Sequence, residues 1–128
     1  MAHKVAWKTE PDEHDYPAAA AYLLLVAEQD MVDRVVAALK SAPVVRQQAK
    51  DILRACGLPL LPVDNPHVTS DLLKIRKEKP LSPVLLVRGD LAAGQHAQIA
   101  DGYHRVCASY HIDENTDVPC RIAEVHAR

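Results

Sequence analysis

The chain is poor in cysteine, in long apolar runs and in net charge of either sign. Cys56, Cys107 and Cys120 are odd in number and widely spaced, with no CxxC pair and no zinc-like spacing. That pattern supplies neither a disulfide framework nor a cysteine metal knot, and reduced thiols in a cytoplasm are the expectation. No secretory leader is expected, because the first residues are polar and charged. The longest apolar stretch, Pro17 to Ala27, is too short to cross a bilayer, and Glu28, Asp30, Asp33 and Arg34 block its extension. With a formal net charge of -2 and a pI near 6.4, the chain lacks the basic balance of a domain that coats nucleic acid. Internal repeats are absent, and Ala18–Ala21 is the only low-complexity tract.

What remains is the composition of one soluble globular domain. In 128 residues, 48% hydrophobic and 25% charged, there is enough apolar material for one core and too little chain for two. The seven histidines make the net charge sensitive to pH between about 5 and 7.

Residues 1–16 are polar, with Trp7 as their only anchor, and are expected as an extended arm. Pro17 suits a first helical position, so a helix is predicted over Ala18 to Gln29. Asp30 can cap a second, Met31 to Lys40, with Met31, Val35, Val36 and Leu39 on one face. Pro43 opens a third, with Val45, Ala49, Ile52, Leu53 and Cys56 at helical spacing and Gly57 as its stop. Residues 17–57 thus read as a helical layer covering a sheet.

From Leu58 the pattern changes. Leu58 to Val63 reads as an edge strand, where proline is tolerated. Asp64 or Asn65 can cap a helix begun by Pro66, with Val68, Leu72 and Ile75 as its buried stripe. Pro83 to Val87 is a short apolar run typical of a central strand. Residues 91–96 form a loop, Ala97 to Ala100 the next strand, Tyr103 to Tyr110 a helix, and Val118 to Val125 the last strand. The fold class is α+β, a small mixed sheet with crossover helices behind three leading helices, and residues 58–128 form the core.

The most informative segment is Asp101-Gly102-Tyr103-His104-Arg105, a strand end, a tight turn and a helix start. The first amides of such a helix lack internal partners and carry the positive end of the dipole. His104 and Arg105 add donors there, so the turn is a candidate phosphate receptor. Arg105 is the leading candidate, since its planar fork matches phosphate. Asp101 either places Mg²⁺ or accepts a proton, or else caps the helix. Tyr103 stacks on a base or packs. Arg46, Lys50 and Arg54, at i, i+4 and i+8 of the third predicted helix, make a basic stripe that would be the place for a nucleic-acid contact.

The element order with Gly102-Tyr103-His104-Arg105 on the last crossover resembles the ParB/sulfiredoxin superfamily, from about Leu58 to Val125. Asp64-Asn65-Pro66-His67-Val68-Thr69-Ser70 is similar to its helix entry, Pro83 to Gly89 to its central strand, and Pro119-Cys120-Arg121-Ile122 to its final strand. The resemblance implies a nucleotide (ATP, ADP or CTP) with Mg²⁺ at Asp101. It implies that His104 and Arg105 grip phosphates and that Ser70 lies near the nucleotide on the helix. His67 and Lys74 fall where the family has a lysine and a threonine, so the nucleotide contacts from that helix are altered. Tyr103 stands where sulfiredoxins carry the reactive cysteine, and a phenol cannot form their thiosulfinate, which argues against sulfinic acid reduction. Asp101 to Arg105 matches the Asp-Gly-x-His-Arg loop of free-serine kinases of this fold. Their glutamate base has only Asp64 as a counterpart here. The expectation is a cytoplasmic, bacterial-type nucleotide-binding protein, with phosphoryl transfer to a small-molecule acceptor or nucleotide hydrolysis as the reaction class. The alternative is a non-enzymatic ParB-like nucleic-acid-binding or adaptor module. Redox repair would need a reactive Cys107. The oligomeric state is not legible.

Overall fold

The computed structural model describes residues 4–125, so the ends of the expected arm and of the expected core, residues 1–3 and 126–128, lie outside the described residues. Five helices and four strands follow in the order α1 (Asp15–Leu23), α2 (Gln29–Ser41), β1 (Val45–Gln48), α3 (Ala49–Cys56), α4 (Pro66–Arg76), β2 (Val84–Val87), β3 (Gln98–Asp101), α5 (Tyr103–Ile112) and β4 (Asp117–Ala123). The strands form one mixed sheet in the order β1-β4-β2-β3. β2 and β4 run parallel, and each carries an antiparallel neighbour on its outer side.

Alternation along β2 builds both layers. Val84 and Leu86 face a core with α3, α4 and α5, while Leu85 and Val87 face α1 and α2. All four are buried, as a strand covered on both faces requires. The second layer seats Val32, Val35 and Leu39 of α2 with Ala100 and Ala123 of the sheet. Each such aliphatic side chain contributes roughly 1.5–3 kcal/mol on burial. Arg121 on β4 donates to the carbonyls of Leu39 and Lys40 at 3.4 and 2.6 Å, which places a cation at the C-terminal end of α2.

The predicted leading helices are corrected in three places. α1 begins at Asp15 and ends at Leu23, with Pro17 inside its first turn rather than at its start. α2 begins at Gln29 after an extended Glu28, so Asp30 sits in the first turn instead of capping it. The predicted third helix is split, because Val45–Gln48 is strand β1 and only Ala49–Cys56 is helical. Ala42, held extended before Pro43, ends α2. β4 then offers an open edge that Val45 to Gln48 fill. The first amides of α3 donate to the Thr116 and Glu114 carbonyls at 2.9 and 3.0 Å. Gly57 stops α3 in the left-handed region, φ 62°, as expected.

The predicted edge strand at Leu58 to Val63 does not form. Pro59 and Pro62 remove donors, and β1 already occupies the edge. Its carbonyls serve side chains instead: Tyr103 donates to Pro59 O at 2.6 Å, and His111 Nε2 lies 2.7 Å from Leu61 O. The remaining elements match their predicted segments to within two residues. Trp7 bridges to Leu81, so the N-terminal segment lies against the entry to β2.

Candidate functional site

Gly102 fixes the site. It lies at the N-cap of α5 with φ 113°, and a Cβ there would fall 2.4 Å from Val84 Cγ1. Only glycine turns the chain this close to β2. α5 therefore starts directly at the end of β3, and the amides of Tyr103, His104 and Arg105 have no carbonyl of their own helix to meet.

α4 supplies the facing wall. Asn65 caps it, its side chain accepting from the amides of His67 and Val68 at 3.0 and 3.2 Å, with Pro66 at the first helical position. Val68 and Ile75 are buried. The spacing of His67, Ser70, Asp71 and Lys74 puts them together on another face. That face lines a cavity of about 390 Å³, opposite Lys8, Asp12, His14 and Asp15 of the N-terminal segment, with Asp101, Gly102, His104 and Arg105 at its base. The volume suits a small organic ligand.

Seven of the nine residues selected from the sequence line this one cavity: His67, Ser70, Lys74, Asp101, Gly102, His104 and Arg105. The other two lie outside it. Asp64 is exposed on the turn before α4 and is not among the residues that line the cavity. Tyr103 packs against the core on the α3–α5 side of the sheet and donates to Pro59 O, so it packs rather than stacking on a ligand.

Arg105 requires the main correction. Its side chain is 13% exposed, and its fork is filled by protein acceptors. Nη1 donates to the carbonyls of Ser82 and Pro83 at 2.6 and 3.2 Å and lies 3.3 Å from Asp15 Oδ2. Nη2 donates to Asp101 Oδ2 at 2.6 Å. Asp15 Oδ2 also accepts from Ser82 Oγ. The guanidinium is a knot tying α5, β3, α1 and the entry to β2 together, not a free phosphate fork. Asp101 neither caps α5, which has no side-chain cap, nor stands ready for a cation. Burial raises its pKa, outweighing the Arg105 charge, with Asp15 raising it further.

The cavity-facing groups that are left are two imidazoles, Lys74, Ser70 and Asp71. His67 and His104 are in ring contact, centroids 4.7 Å apart. Burial lowers the pKa of His104, and the neighbouring His67 lowers it further. Burial raises the pKa of Asp71 against the pull of Lys74, whose ammonium lies 3.9 Å away.

Sequence reasoning passed over Lys8, Asp12, His14, Asp15 and Asp71. The run Asp12-Glu13-His14-Asp15 was a visible signal, assigned to a polar arm. Asp12, His14 and Asp15 offer ligand atoms all within 4.8 Å of one another, a group that could hold a metal ion. Lys8 holds Asp12 Oδ1 at 2.8 Å and lowers the Asp12 pKa, while Arg105 and Ser82 hold Asp15 Oδ2 and His14 Nε2 lies 3.4 Å from Asp15 Oδ1.

The predicted basic stripe is broken. Arg46 is on β1, and Lys50 and Arg54 both lie against Asp51, at 3.5 and 3.1 Å. Cys56, Cys107 and Cys120 are free and buried, as small core residues. No helix among the described residues is long and apolar enough to cross a membrane. A second, larger cavity of about 610 Å³ lies between α3 and the Arg88–Ala97 loop; Arg54 of the predicted basic stripe lines it, and none of the nine candidate site residues does. No family model, curated protein or solved structure matches the chain.

Proposed function

We propose that this chain is a ParB/sulfiredoxin-like protein that binds a nucleotide through its phosphates, in the cavity between α4 and the β3–α5 turn. The observation that carries this reading is convergence. Two segments whose nearest ends, Lys74 and Asp101, are 27 positions apart meet across one cavity of about 390 Å³. One is a phosphate-type turn, and the other is the helix where the resemblance implies nucleotide contacts. In support of the superfamily, helix, strand, strand, helix and strand follow in order from α4 to β4, with the glycine turn on the last crossover.

The ligand's phosphates would meet Lys74, His67, Ser70, His104 and the first amides of α5. Arg105 acts one step back, holding the turn in shape. The carboxylates of Asp12 and Asp15 would serve a Mg²⁺ ion, with His14 beside it rather than ligating it, since Mg²⁺ takes oxygen ligands. The ion would supply positive charge to phosphate oxygens. Phosphoryl transfer or hydrolysis is the reaction class such a site supports. Asp71, which lines the cavity where Asp64 does not, takes the proton-accepting role, its pKa raised by burial. The alternative of a nucleic-acid-binding module loses its basic stripe, and no observation takes the stripe's place.

Isothermal titration of ATP, ADP and CTP with Mg²⁺ tests the reading. Saturable binding weakened in Lys74→Ala and His104→Ala is expected. Absence of binding at millimolar nucleotide overturns it.

A further inference from the structure

The cavity wall holds a pairing that a structural role does not explain. His67 and His104 lie ring against ring, 4.7 Å between centroids and 42° between planes. Among the described residues neither ring has a hydrogen-bond partner, whereas the ring of His111 is bonded to a carbonyl. His67 is exposed at the first turn of α4, so packing does not demand an imidazole there.

Two imidazoles at this separation oppose each other's protonation, because two cations in contact repel. The groups facing them set the balance. Asp71 and Lys74 share α4, Asp101 and Arg105 sit at the base, and Lys8, Asp12, His14 and Asp15 stand across the cavity. Arg105 is neutralised by Asp15 and Asp101, Lys8 by Asp12, and Lys74 lies beside Asp71. With His14 lying 3.4 Å from Asp15, the His67 and His104 rings are the cavity's imidazoles without a carboxylate ion pair among the described residues. An anion held beside both rings reverses the sign of the coupling, since each imidazolium then donates an N–H to it.

We propose that the His67–His104 pair is a proton-coupled seat for a doubly charged tetrahedral oxyanion, such as a terminal phosphate. The inference rests on the reading of the cavity as a phosphate site and adds the charge state of its ligand and the protons that enter with it. Ser70, one turn along α4, and Lys74 supply the remaining donors. Burial and the neighbouring His67 lower the pKa of His104, so that ring favours its neutral form until an anion stands beside it.

Inorganic sulfate is the probe, because its charge is fixed across the range in which histidine titrates. Titration of the full chain from pH 7.5 to 5.5 is expected to show affinity rising about tenfold per pH unit for each proton taken up. Heats in two buffers of different ionisation enthalpy count those protons directly. His67→Asn and His104→Asn are expected to weaken binding at pH 5.5 and remove the uptake, and the exposed position of His67 keeps that variant folded. ADP displacing sulfate better than free phosphate does would place the oxyanion on a nucleotide, and the reverse would make it the free ion; both support the seat. Sulfate binding that is flat with pH, or uptake that persists in the histidine variants, overturns the seat. If nucleotide still binds in that case, the cavity reading survives. If neither sulfate nor nucleotide binds, both fail.

Discussion

Replacing Arg105 by alanine separates a structural knot from a ligand fork. The guanidinium meets two carboxylates and two carbonyls, at 2.6 to 3.3 Å. Asp15 and Asp101 are themselves only 8% and 22% exposed. Arg105→Ala would leave both carboxylates without their counter-ion inside the fold. Removing one partner of a buried pair costs about 3–5 kcal/mol, a large share of the roughly 5–15 kcal/mol that holds a domain together. Urea unfolding followed by circular dichroism reads the loss as a lower midpoint at unchanged slope. Arg105→Lys keeps the charge but not the fork and should fall in between. Adding Asp15→Asn to Arg105→Ala should recover part of the loss, because one stranded charge is gone. If Arg105→Ala lost less than about 1 kcal/mol while abolishing nucleotide binding, the knot would be wrong and the guanidinium would face the ligand.

Other consequences follow from the same contacts. Gly102→Ala forces a Cβ to within 2.4 Å of Val84 Cγ1 at φ 113° and should cost at least about 1–3 kcal/mol in urea unfolding; a neutral substitution would show that the turn relaxes freely. Burial raises the Asp71 pKa, so the folded state favours the protonated acid, and its ionisation at pH 7 works against folding. Asp71→Asn should therefore raise the melting temperature at pH 7, with the gain shrinking as pH falls toward 4 and the wild-type acid is protonated too; equal gains at both pH values would contradict this. Burial pushes the thiols of Cys56 and Cys120 up to about 11 and raises Cys107 as well. Ellman's reagent at pH 8 should thus label the native protein hardly at all and all three cysteines in urea. Rapid native labelling of Cys107 would reopen redox repair.

The parts of the fold legible in the sequence are those whose determinants are local. Asn65-Pro66 announces α4, Gly57 ends α3, the apolar run ending at Val87 is β2, and Gly102 marks the turn into α5. What was hidden depends on distant partners. Val45 to Gln48 carry helical spacing, yet they become a strand because β4 needs an edge partner. Leu58 to Val63 look extended, yet they find no free edge. The cavity face of α4 and the glycine turn were visible as chemistry. The role of Arg105 was not, because its acceptors at Asp15 and Ser82 lie 90 and 23 residues away. An arginine beside a phosphate-like turn reads the same whether its fork points to a ligand or to buried carboxylates, and only the tertiary contacts decide. Asp12 to Asp15 escaped notice for the same reason, since a charged run gains meaning from the wall it faces.

The central claim is that a nucleotide's phosphates sit between α4 and the start of α5. Amide chemical-shift mapping by nitrogen-15 NMR, with ATP and Mg²⁺ added stepwise, tests it residue by residue. Saturable shifts concentrated at His67 to Lys74 and Gly102 to Arg105 are the predicted result. Shifts confined to the Arg88–Ala97 loop around the second cavity, or none at millimolar nucleotide, would contradict it.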